Sequence, residues 1–121
     1  MSVKRYCHHT MVKKTFNQGD VVWLTLDPVL GHEQKGRRPA LILTKEEYER
    51  ATDCHVVCPI PTKRKGYVTE VLCNLEGNNA VILSDQIRNV DFRHRKAEYI
   101  ATISLETLGE VQSKIRTLLF M

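Results

Sequence analysis

Short apolar runs of five to seven residues, each stopped by a turn residue or a charge cluster, fill this chain from Val21 to Ile103. That punctuation reads as strands joined by brief turns. "VVWLTL" (21–26) follows a Gly19–Asp20 turn and stops at Asp27–Pro28, and "ALILT" (40–44) is continuously apolar, as a central strand is. Thr44 followed by Glu47 fits a capping box, so "KEEYERA" is expected as a short helix between strands. "HVVCPI" (55–60) reads as a third strand, Pro61 to Gly66 as a basic loop, and "YVTEVLC" (67–73) alternates like a half-buried strand. After the turn "LEGNN", "AVILS" (80–84) and "QIRNVDF" (86–92) are two strands or one long bent one, and "EYIATI" (98–103) is the last. Ser104 then caps a helix whose Leu105, Leu108, Val111, Ile115, Leu118 and Leu119 follow a 3.6-residue period, a stripe read as core packing.

Six or seven short strands with a short internal helix and a C-terminal helix predict a mainly β (α+β) protein, built as a small antiparallel barrel or curled sheet. At 121 residues one domain is expected, over 15–121, after a polar N-terminal tail (1–14) that is partly an extension, since Met11 would itself serve as a start. No apolar run approaches the roughly 18 residues that span a bilayer, and "MSVKRYCHHT" has no apolar core of a signal peptide. A cytoplasmic protein without membrane contact is the expectation. Four cysteines then read as reduced thiols: Cys54 and Cys58 share one strand face while His55 points to the other, which is poor for shared metal ligation. No metal and no cofactor are expected. Trp23 alternates with Val21 and Thr25 and reads as core or as a dimer contact.

The net charge of +4 suits a polyanionic partner, and its distribution is more telling than its size. Lys35, Arg37 and Arg38 form one cluster, Lys63, Arg64 and Lys65 a second, Arg88, Arg93, Arg95 and Lys96 a third, all beside expected strand ends. Converging on one face, they would make an electropositive groove. No phosphate-binding glycine loop, nucleophile elbow or zinc-protease helix is present, and loop carboxylates are too sparse for a two-metal nuclease. RNA chemistry needs none of these, because the 2′-OH is its own nucleophile. It needs a proton acceptor, a proton donor and cations for the crowded phosphorane, and "GHEQKGRRP" (31–39) offers candidates for all three.

"GDVVWLTLDPVLGHEQKGRRPALIL", with "PIPTKRKGY" and "LSDQIRNVDFRHR" behind it, closely resembles the MazF/PemK (Kid-like) toxins of bacterial toxin–antitoxin systems, from about Gly19 to Phe120. The resemblance rests on five motifs in one order: Gly-Asp-x-hydrophobic-Trp, Asp-Pro, Gly-x-Glu-Gln-x-Gly-x-Arg-Pro, Pro-x-x-Thr and Asp-Gln-x-Arg. It implies an SH3-like or CcdB-like barrel, a homodimer, and metal-independent, sequence-specific cleavage of single-stranded RNA that leaves 2′,3′-cyclic phosphate and 5′-OH ends and halts translation and growth. It also implies neutralisation by a MazE-like antitoxin lying in the RNA groove.

Matched to the family motifs, Arg38 is the active-site arginine and Thr62 the Pro-x-x-Thr threonine, with Glu33 as the base or positioning acid. His32, Gln34, Lys35 and Arg37 share the Arg38 loop and are assigned to RNA binding. Lys63 and Lys65 flank the groove, and Tyr67 stands where it can stack on a base. Arg88 and Arg95 match basic positions that touch phosphate, while Asp85 and Gln86 read bases or brace their loop. Kid-like members use an arginine two residues before the acid at Asp85, where this chain has Leu83, so their acid–base assignment does not transfer whole. The rival readings are a CcdB-like gyrase poison and a nucleic-acid-binding module without activity, both on the same fold.

Overall fold

The computed structural model describes residues 15–25 and 37–120. Among them the chain runs β1 (Asp20–Thr25), β2 (Arg37–Ile42), α1 (Glu46–Thr52), β3 (Cys54–Pro59), β4 (Glu70–Leu75), β5 (Asn78–Leu83), β6 (Arg88–Asp91), β7 (Glu98–Thr102) and α2 (Leu105–Phe120). The expected mainly β class is what forms. Five strands make one sheet in the order β6-β3-β2-β1-β7, every neighbour antiparallel, and β4 and β5 make a second. The region 80–92 is two strands rather than one bent strand, because the chain turns at Ser84–Asp85. The tail 1–14 lies outside the described residues.

Alternation along the strands gives the large sheet two apolar faces. Val22, Leu24, Ala40, Ile42, Val57 and Val90 pack with Phe16 on one side. Val21, Leu41 and Cys58, paired across β1, β2 and β3, pack on the other against Val71 and Ile82 of the hairpin and Val111 of α2. Each such fully buried Val, Leu or Ile contributes about 1.5–3 kcal/mol of transfer free energy. A register shift between Val21 and Val22 lets β1 bend along β7.

Turn chemistry sets where strands begin. Gly19 has φ +95°, open to glycine, and it joins three elements: its N–H donates to Ile42 O (2.9 Å) and its carbonyl accepts from Ile103 N–H (3.0 Å). Asp20, 4% exposed, accepts from the Asn17 N–H and the Thr102 hydroxyl, each at 2.9 Å. The Gly-Asp pair thus fastens the entry of β1 to β7. Glu76 and Gly77 both have positive φ, which makes the β4–β5 connection a two-residue type I′ turn matched to strand twist.

Three local expectations are corrected. Helix α1 forms, but Thr44 does not cap it. The N-cap is Lys45, with no side-chain cap, because the Thr44 hydroxyl is used by β3: it accepts from Val56 N–H (3.1 Å) and lies 2.7 Å from His55 Nδ1. Trp23 is 41% exposed and so is not core. The apolar stripe of α2 is buried only at Leu108 and Val111, while Leu105, Leu118 and Leu119 are exposed with Phe120. Ser104 does cap α2, its Oγ accepting from Thr107 N–H at 3.1 Å.

Candidate active site

Arg38 is the residue around which a site forms. The expected loop placement is shifted: β2 opens at Arg37, so Arg38 belongs to the strand and pairs with Leu24. Strand alternation then parts the two arginines. Arg37 donates to Glu98 and to the Lys96 carbonyl (3.0 Å), toward the β7 side. Arg38 is exposed, and among the described residues it hydrogen-bonds to the Arg37 carbonyl (3.1 Å). Among those same residues no carboxylate lies within ion-pair reach of it. None of the described carboxylates therefore competes with an anion for its guanidinium.

A cleft of about 480 Å³ opens beside it, lined by Arg38, Pro59, Ile60, Pro61, Leu83, Gln86, Ile87 and Arg88. The backbone builds the cleft from three places. Antiparallel pairing sets Pro59 opposite Ala40 and brings Ile60 N–H onto Pro39 O (3.0 Å), which carries the end of β3 to the start of β2. Val81 N–H donates to Pro61 O (3.0 Å), which joins β5 to the same corner. The Ser84–Asp85 turn, closed by Gln86 N–H on Leu83 O (3.1 Å), then swings Gln86 and Arg88 over the cleft. Ser84, fully buried, donates its hydroxyl to Thr69 O and holds that turn against the root of β4.

The result is an apolar floor with two guanidinium groups and one amide at its rim. A flat base fits such a floor, and phosphate oxygens fit the fork of an arginine. Of the residues expected to act, Arg38, Gln86 and Arg88 converge here. Thr62 follows Pro61 directly and is exposed, as are Lys63, Lys65, Tyr67 and Asp85. Arg95 is turned inward, with Nη1 donating to Thr25 O at 2.9 Å. His32, Glu33, Gln34 and Lys35 lie outside the described residues. Sequence reasoning missed the floor itself. Ile60, Leu83 and Ile87 each read as ordinary strand residues, and only the pairing of strand ends shows that they meet below Arg38.

Comparison with known proteins places the chain in a family. The family model described as PemK-like, MazF-like toxin of type II toxin–antitoxin system matches residues 17–119. "Endoribonuclease toxin MazF" of Escherichia coli K12 is 34% identical over 103 residues, which is 85% of this chain and 93% of that protein. A crystal structure of MazF from Deinococcus radiodurans aligns with a TM-score of 0.79 at 39% identity, covering 90% of this chain and all of that one. A MazE–MazF structure from the same organism aligns at 0.77 with 34% identity, over 90% of this chain and 99% of the other.

Proposed function

The chain belongs to the PemK-like, MazF-like toxin family of type II toxin–antitoxin systems, and from that premise we propose that it is a toxin endoribonuclease that cuts single-stranded RNA at the Arg38 cleft. The observation that carries this reading is Arg38 itself. It is a guanidinium without an acidic partner among the described residues, set on a rigid strand over an apolar floor and faced by Arg88. A cation held for structure would be paired, as Arg37 is.

In the proposed reaction the 2′-oxygen of one nucleotide attacks its own 3′-phosphorus. Glu33 takes the hydroxyl proton or positions the group that does. Arg38 donates to the non-bridging oxygens as negative charge builds on the phosphorane, and Thr62 adds a hydroxyl donor. The bond to the 5′-oxygen breaks, that oxygen leaves as 5′-OH after protonation, and a 2′,3′-cyclic phosphate remains. Gln86 and Asp85 contact bases, while Arg88, Lys63 and Lys65 hold phosphates and Tyr67 stacks. The chemistry proceeds without a metal. A MazE-like antitoxin is the proposed neutralising partner, and the toxin works in the cytoplasm as a homodimer, for which exposed Trp23 supplies a contact surface. Among the described residues no helix is long and apolar enough to cross a membrane.

The test is cleavage of a mixed-sequence RNA by the purified chain in excess EDTA, repeated on a mapped site with 2′-deoxy substitution at the cut nucleotide. Cyclic-phosphate and 5′-OH ends, abolished by the deoxy substitution, are the expected result. Cutting that survives the substitution would overturn the mechanism, and intact RNA would overturn the function.

A further inference from the structure

The connection between β3 and β4 carries Thr62 and three adjacent cations, Lys63, Arg64 and Lys65, and residues 62–68 are all exposed. Three like charges in a row repel, and an exposed loop of this composition has no packing of its own to hold one shape. This one is nevertheless tied at each end. At its start Pro61 O accepts from Val81 N–H (3.0 Å). At its finish Glu70, the first residue of β4, turns its carboxylate back on the loop: Oε2 accepts from Lys65 N–H (2.9 Å) and Oε1 from Gly66 N–H (3.1 Å). Glu70 N–H meanwhile donates to Tyr67 O (3.1 Å) and closes the turn between them. A second tether comes from α2, where Lys114 Nζ donates to Val68 O at 2.6 Å.

A carboxylate suits this place for two reasons. Its two oxygens take two successive N–H groups, one each, and its charge offsets the cations that crowd the loop. Glu70 also makes no ion pair among the described residues, although Arg64 lines with it a second, separate cleft that includes Tyr67, Leu72 and Glu110. Both oxygens are used on backbone. Gly66 permits the arrangement with φ +83° and with no atom within 4 Å of where a Cβ would stand, so its requirement is conformational rather than steric.

We infer that Glu70 is a positioning residue for RNA recognition: its carboxylate clamps the Lys65 and Gly66 amides and so fixes where the loop cations meet the strand. The inference rests on the endoribonuclease reading above. It extends that reading to a residue that touches no RNA and whose place in the sequence looks like an ordinary outward strand position.

The experiment uses the full chain and its Glu70→Gln variant, with an oligonucleotide containing a site mapped with the native protein. Gln keeps the size but offers one acceptor and sets an NH₂ against the other amide. KM should rise about tenfold with kcat within about twofold, while the melting temperature falls by no more than a few degrees. Amide hydrogen exchange at Lys65 and Gly66 should speed up while the strands stay protected. Unchanged KM with native-like cleavage, a loss confined to kcat, or undisturbed exchange at the two amides would each overturn the clamp while leaving the endoribonuclease intact. If the native chain cuts no RNA, the underlying reading fails and this inference goes with it.

Discussion

The two ends of strands β2 and β3 each gather polar side chains and use them in opposite ways. Beyond the Ile42 end, His55 is fully buried with Nε2 2.8 Å from Glu49 Oε1 and Nδ1 2.7 Å from the Thr44 hydroxyl. Glu49 also accepts Phe16 N–H (2.9 Å), Thr44 accepts Val56 N–H, and the Phe92 ring lies edge-on to the imidazole at 5.1 Å. Both ring nitrogens, the Glu49 carboxylate and the Thr44 hydroxyl thus find partners inside the protein, so the network is closed and ties β2, α1, β3 and the chain entry into one unit. At the Arg37 end the polar groups face outward, Arg38 and Arg88 over a cleft with an apolar floor. A histidine–acid–hydroxyl set looks like chemistry and here serves stability, while an arginine with no acid beside it among the described residues looks unfinished and is the residue on which the proposed site rests. Whether a polar group's partners lie inside the protein, rather than its residue type, separates the two.

His55→Ala should disturb this division of labour most visibly. Glu49 and the Thr44 hydroxyl lose their buried partner and a cavity opens, costing about 3 kcal/mol in a urea titration. RNA cleavage per folded molecule should stay within about twofold. A stable variant, or a folded one that cannot cut, would show that the closed end is not merely structural. At the open end Arg88→Ala should raise KM about tenfold, roughly 1.4 kcal/mol. Exchanging Lys63 and Lys65 for Gln should act more gently, flattening the salt dependence of binding by about 0.7 in logarithmic slope for each phosphate that is no longer neutralised.

The smallest effect belongs to the interior. Burial, with Cys73 nearby, pushes the Cys58 thiol up from 9.0 to about 12. The unfolded chain releases that proton near 9.0 and the folded chain holds it until about 12, so the stabilisation is fully present below pH 9 and lost as pH rises between those values. Native protein should lose about 1 kcal/mol of stability from this group by pH 10, and Cys58→Ala should remove that part of the slope. An equal slope in both proteins would place the pH dependence elsewhere.

Much of this was legible in the chain. Each apolar run became a strand, and the Gly-Asp and Glu-Gly turns fell where the residues demand them. The Arg38 motif named one of the residues that line the cleft. What was not legible depends on partners distant in sequence. Thr44 reads as a helix cap until His55 and Val56, eleven and twelve residues on, claim its hydroxyl. The period of α2 gives the direction of its apolar face but not the extent of the surface below it, which ends past Val111 and Ile115. Trp23 alternates like a core residue, yet only edge strand β7 lies beyond β1, and its face there is left uncovered. Glu70 reads as an outward strand residue, and nothing in the pattern says that its carboxylate bends back onto two loop amides.

Whether the open end is the working end is decided by setting wild-type protein against Arg38→Ala on mixed-sequence RNA in EDTA, with the unfolding midpoint of each measured alongside. A fall of about 10²–10³ in kcat/KM for the variant with an unchanged midpoint is expected, the size that follows when a phosphorane loses its main donor. Undiminished cutting by the variant, or a loss matched by a fall in stability, would refute the assignment.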